Sequence, residues 1–227
     1  MKKKRILAMI LAVASCLSLA VSASAASTAR KATDFRDFDK SAWYAEAVSA
    51  AVDNGLLYGK SATIIDPNGD MTRAEMAAII NRSFGCYKAA DISQYKDVAK
   101  SKWYYKDVAM AVQMGTYNGR SASSMAPDAP ISRQEAMTVV ARALELDYDS
   151  YSKTDLSTFS DRSEISNWAL PYVRAMVGAD YIHGRGKILA PQDDITRAEF
   201  AQIFHNIIGT YITAKGSYDK DIKGSVL

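Results

Sequence analysis

The chain has 227 residues, 48% of them hydrophobic and 23% charged, so it can bury a core without staples and is not composed like a disordered chain. Its 28 basic and 25 acidic side chains give +3, but four cations (Lys2, Lys3, Lys4 and Arg5) sit at the very start, and without them the balance is 3 − 4 = −1. A near-neutral chain with two histidines and two cysteines gives no electrostatic basis for nucleic-acid binding, little material for a metal cluster, and no expected cofactor.

Residues 1–25 read as an export signal. A basic start is followed by an apolar run from Ile6 to Ala20 and then by Ala23-Ser24-Ala25, the small-residue pattern of a cleavage site. The apolar run is short for a membrane span, so no integral span is expected after cleavage. Val13-Ala14-Ser15-Cys16 also fits a loose lipoprotein box. The apolar run continues past Cys16 through Leu17, Leu19 and Val21, however, which favours cleavage near Ala25. Cys86, the remaining thiol, reads as a small buried hydrophobe.

Three copies of one phrase follow, at residues 35–87, 95–148 and 159–212, with a polar tail at 213–227. Each opens with an aromatic and an aspartate: Phe35 and Asp37, Tyr95 and Asp97, Phe159 and Asp161. A tryptophan comes next (Trp43, Trp103, Trp168), and sixteen residues later a glycine (Gly59, Gly119, Gly184). Pro67, Pro127 and Pro191 follow, each six residues ahead of an arginine: Arg73, Arg133 and Arg197. Self-similarity at this period is the mark of a repeat architecture.

Within each copy the apolar spacing predicts helix, loop, helix. Val48, Ala51 and Val52 recur as Val108, Ala111 and Val112 and as Val173, Met176 and Val177. Gly55, Gly115 and the less suited Asp180 mark the ends of these first helices. The second helices carry Met76, Ile79, Ile80 and Phe84, or their equivalents, on one face. One such hairpin cannot hide its own stripe, so the three should pack around a common axis.

Thr72-Arg73-Ala74-Glu75, Ser132-Arg133-Gln134-Glu135 and Thr196-Arg197-Ala198-Glu199 open the second helices. The hydroxyl and the glutamate form a capping box. The arginine is unexplained by capping, because a helix N-terminus disfavours a cation. Two readings are open: an anion pocket built from the guanidinium and free helix amides, or a pair with a structural aspartate such as Asp37. Lys60, Arg120 and Arg185, each directly after a loop glycine, could add a second cation. Trp43, Trp103 and Trp168 could stack on a sugar face, although a tryptophan heading an apolar stripe more commonly anchors a core. Asp37, Asp97 and Asp161 read as caps of the opening turn.

The order Phe-x-Asp, Trp, Gly, Pro and Thr-Arg-Ala-Glu, three times over behind an export signal, resembles the S-layer homology (SLH) domain family. The resemblance covers residues 35–209. It implies a mainly α fold, three tandem helix-loop-helix repeats arranged as a pseudo-threefold, three-pronged spindle. It also implies a non-catalytic module anchoring an exported protein at the bacterial cell wall or surface, as in S-layers. The implied ligand is an anionic, pyruvylated secondary cell-wall polysaccharide held in grooves between repeats. The family's arginine contact maps onto Arg73, Arg133 and Arg197, and its loop glycines onto Gly59, Gly119 and Gly184, where the sugar would approach the backbone. This chain departs from the family at the loops, which lack the Asp-Gly turn that commonly follows the glycine. The competing expectation is a scaffold that assembles with other envelope proteins, or a peptidoglycan binder.

Overall fold

The structure, a computed structural model, describes residues 30–214, with side chains to 208. The expected export signal, Cys16 and residues 215–227 lie outside the described residues. Six α-helices form among the described residues: α1 Ala45–Asp53, α2 Arg73–Phe84, α3 Tyr105–Gln113, α4 Arg133–Ala143, α5 Leu170–Gly178 and α6 Arg197–Ala214. The architecture is mainly α. Each repeat supplies one short and one longer helix, as the periodicity predicts.

Local sequence sets the helix ends. Thr72 and Ser132 accept from the amides of Glu75 and Glu135, whose carboxylates reach back to the cap amides, and Thr196 and Glu199 do the same for α6. The first helices run into Gly55, Gly115 and Asp180, at φ of 66°, 75° and 63°, a left-handed turn that glycine adopts freely and aspartate tolerates. Val48, Val108 and Val173, with the stripes of the longer helices, fill the core.

The partners of the helices differ from a simple hairpin. α2 packs on α3, α4 on α5, and α6 closes the ring by packing on α1. Each prong therefore joins the second helix of one repeat to the first helix of the next. The reason lies in the connecting loops, which cross the axis instead of turning back. At the axis, the Met71 amide donates to the Ile195 carbonyl, Ile195 to Ile131, and Ile131 to Met71, each at 3.0 Å. This closed triangle of backbone bonds, with all three side chains fully buried, gives the molecule its pseudo-threefold frame.

Asp37, Asp97 and Asp161 act at a distance and do not cap the opening turn. Each accepts from two successive loop amides of its own repeat: Ile65 and Asp66, Met125 and Ala126, Leu189 and Ala190. The second residue of each pair is left-handed, with φ of 55°, 51° and 50°, a conformation that costs a non-glycine residue roughly 1–2 kcal/mol. The carboxylate holds that strained residue just before the proline. Burial opposes the charge on Asp97, but the Met125 amide, the Ser124 hydroxyl and the Ala126 amide outweigh it and hold the carboxyl below its ordinary range.

Replacing Asp97 by Ala should therefore lower stability by roughly 1.5–3 kcal/mol, the worth of losing charge-assisted bonds, in a urea unfolding series. Because the folded carboxyl titrates below its unfolded value of 3.8, this contribution is complete above that value and disappears as pH falls through the folded one. The gap between wild type and the variant should close in acid.

Candidate functional site

The second-helix arginines leave their own helices and enter the next repeat. Arg73 donates from Nε to the Met125 carbonyl at 2.9 Å, from Nη2 to the Asn118 carbonyl at 3.0 Å, and from Nη1 to Glu135 at 3.1 Å. Arg133 repeats this with the Leu189 carbonyl at 2.8 Å and Glu199 at 2.9 Å. Arg197 closes the ring onto the Ile65 and Tyr58 carbonyls and onto Glu75, the last at 3.5 Å. The three arginines are only 5%, 5% and 3% exposed. Their partner is thus the capping-box glutamate of the following repeat, and not Asp37 or its equivalents.

The helix amides are not free for an anion. The Arg73, Arg133 and Arg197 amides donate to the carbonyls of Ala129, Asp193 and Gly69, and the next amides in each helix to Pro127, Pro191 and Pro67. The next repeat's loop consumes both donors, and the cap hydroxyl takes the third. An anion pocket made from bare helix amides is excluded here.

The loop cations meet the same glutamates from the other side. Lys60 pairs with Glu75 at 2.7 Å, Arg120 with Glu135 at 3.1 Å and Arg185 with Glu199 at 2.6 Å. Every motif glutamate therefore caps its helix and answers two cations. Burial alone would raise Glu75 and Glu199. The cation of their own loop, the cap amide and the previous repeat's arginine outweigh it and hold both carboxyls below the usual range.

Two open grooves result. One, of about 400 Å³, is lined by Arg73, Tyr117, Asn118, Gly119, Arg120, Glu135, Arg142 and Trp168. The other, of about 320 Å³, is lined by the equivalent Arg133, Ile182, His183, Gly184, Arg185, Glu199, Asn206 and by Trp43. Each groove takes its arginine from the repeat before and its tryptophan from the repeat after. At the corresponding place in the first repeat, Tyr58 stands where Asn118 and His183 stand, and the Arg82 guanidinium lies over its ring at 4.5 Å.

Trp43, Trp103 and Trp168 are 62%, 63% and 51% exposed, so none is a core anchor. The buried positions belong to the residues after them, Tyr44, Tyr104 and Ala169. The loop glycines have an internal cause. A side-chain carbon on Gly59 or Gly119 would sit 2.4 Å from the Phe35 or Tyr95 ring, and one on Gly184 would sit 2.6 Å from the Ile188 carbonyl. Packing against the opening aromatic and the loop's own carbonyls demands glycine there. Arg142 and its counterparts Arg82 and Asn206 went unread as site residues. The signal was available: all three stand nine residues after the motif arginine, a polar position repeated in each copy.

The S-layer homology domain matches residues 34–77, 94–137 and 158–201, and the chain belongs to that family. Its domains are non-catalytic modules that bind cell-wall polymers and anchor proteins at the bacterial cell surface. Among its relatives is the surface-layer 125 kDa protein of Lysinibacillus sphaericus, 34% identical over 86% of this chain and 17% of that protein. The exoglucanase XynX of Acetivibrio thermocellus is 27% identical over 79% of this chain and 16% of its own length. The S-layer protein sap of Bacillus anthracis is 23% identical over 74% and 20% respectively. The chain thus spans a sixth to a fifth of these relatives. No helix among the described residues is long and apolar enough to cross a membrane.

The buried and exposed arginines should separate cleanly in unfolding experiments. Arg133→Ala removes the bonds to the Leu189 carbonyl and to Glu199, which keeps Arg185 as its other cation, and should cost about 2–3 kcal/mol in a urea series. Arg120→Ala, at an exposed pair, should cost under about 1 kcal/mol. Arg133→Lys should not recover the loss, because an ammonium lacks the fork that serves the Leu189 carbonyl and Glu199 together.

Proposed function

We propose that this chain anchors its protein by binding an anionic, pyruvylated secondary cell-wall polysaccharide in the grooves between repeats. The observation that carries this reading is the composition of the groove in the second repeat. Three guanidiniums, Arg73, Arg120 and Arg142, face one carboxylate, Glu135, with the exposed Trp168 standing at its edge. The excess positive charge suits a carboxylate-bearing sugar, which a guanidinium can hold through paired bonds. An aromatic beside it offers a flat apolar surface to the sugar ring.

In the groove of the third repeat, Arg133 and Arg185 face Glu199, with Trp43 completing the lining. Arg185 also pairs with Asp193 at 2.7 Å, which leaves less positive charge to spare. Arg73 and Arg133 serve the fold first, and each offers the ligand only the N–H bonds its partners leave over. The loop cations and the tryptophans carry the exposed part of the site. Glu199, the carboxylate of this groove, is held below its usual range by its cations, which does not suit it to act as a general acid.

The test uses exposed residues, since removing the buried arginines would destabilise the fold as well as change the groove. Combined Trp43→Ala and Trp168→Ala substitutions should reduce co-sedimentation with purified walls by about tenfold or more while helical circular dichroism is retained. Either change alone should weaken attachment less, as expected for several weak sites on one body. Walls stripped of their secondary polymer should retain none of the protein. Full retention on stripped walls would point to peptidoglycan or a protein target, and equal binding to depyruvylated polymer would remove the ketal from the proposal.

A further inference from the structure

A second cavity of about 450 Å³ lies beside the groove of the second repeat, and Arg142 lines both. Its walls come from the end of α3, the end of α4, the segment 145–149 and Tyr172 of α5. Arg142 lies over the Tyr172 ring at 4.9 Å, and Tyr148 meets the same ring edge-on at 5.5 Å. Tyr148 is 44% exposed, so this aromatic pair presents a face to solvent. Glu145, Asp147 and Asp149 complete the lining.

The aromatic pair that lines this cavity is not repeated in the other prongs. Tyr172 occupies the position of Ala47 and Asp107 in the other repeats, and Tyr148 that of Lys88 in the first. Its charge is also opposite to that of its neighbour. Three carboxylates and one guanidinium line it, against three guanidiniums and one carboxylate across Arg142. A second acidic sugar would be repelled here. Hydroxyl groups would be welcome, since a carboxylate accepts several hydrogen bonds and a tyrosine ring packs against the apolar face of a pyranose. Both cavities fall within the roughly 300–1,000 Å³ typical of small-molecule sites.

We propose that the cavity between Arg142, Tyr148 and Tyr172 is a subsite for an uncharged sugar unit of the polymer, adjoining the acidic unit in the second-repeat groove. The inference rests on the groove reading above and extends it: the site reads a two-unit segment, acidic then neutral, with Arg142 at the boundary. Position along the chain is then recognised by charge, because sliding by one unit would set the acidic sugar against Glu145, Asp147 and Asp149.

Polymer released from the producing cell's walls, sized into one-unit and two-unit fragments, provides the probe for calorimetric titration. Tyr148→Ala should weaken the two-unit fragment about fivefold and leave the acidic one-unit fragment within twofold of wild type. Asp149→Asn, which removes one acceptor without touching the aromatic pair, should weaken only the longer fragment. Equal loss on both fragments, or no loss on the longer one from either variant, would overturn the subsite. Trp168→Ala should weaken both fragments. If it changes neither, the groove reading fails and the subsite falls with it, whereas a normal Trp168→Ala response with a silent Tyr148→Ala removes the subsite alone.

Discussion

The ion pair from Arg73 to Glu135, repeated as Arg133 to Glu199 and Arg197 to Glu75, is the contact on which the spindle depends. Each pair crosses from one repeat to the next, and the third returns to the first. A buried pair of this kind adds little net stability over apolar packing, because desolvation offsets the attraction. What it adds is register. A guanidinium that must reach two carbonyls and a carboxylate fixes the next repeat in rotation and height, where a greasy contact would tolerate sliding. The closed triangle at Met71, Ile131 and Ile195 applies the same rule to the backbone.

That arrangement resolves the oddity of a cation at a helix N-terminus. The first-turn charge that the helix feels is the glutamate two residues on, which caps it and sits at the favourable end of the dipole. The arginine charge is carried away into the neighbouring repeat, where it meets another such glutamate. Arg and Glu are therefore not two decorations of one helix. They are the outgoing and incoming halves of a relay, and each helix takes part in two links of it.

Much of this was legible in the chain. The capping boxes, the left-handed turns at Gly55 and Gly115 and the alternating pair of helices follow from local spacing, and the order of the repeated motifs carries the resemblance to the family. What local spacing could not give was partnership. Arg73 and Glu135 lie in different repeats, and three identical phrases offer three equivalent glutamates with nothing to choose between them. The same ambiguity hid the prongs, which join α2 to α3 across repeats. Trp43, Trp103 and Trp168 misled in another way. An apolar stripe follows each one, but the helix begins after it, at Ala45, Tyr105 and Leu170, so the tryptophan never joins the buried face. Asp37 and its equivalents act on amides almost thirty residues away, a reach that no turn motif encodes.

Symmetry in the frame leaves the grooves free to differ. The relay reaches backbone carbonyls and the motif glutamates, so several side chains on the groove walls take no part in it. Position 58, 118 or 183 can be Tyr, Asn or His, and position 82, 142 or 206 can be Arg or Asn, without disturbing Arg197, Arg73 or Arg133 beneath them. In the first repeat this freedom stacks Arg82 on Tyr58; in the second it puts Arg142 between two cavities. One frame therefore presents two chemically distinct grooves, in the second and third repeats. Under the reading proposed above, binding at one groove raises the effective concentration at the other where the polymer offers the matching unit, which would favour a repeating ligand over a single sugar.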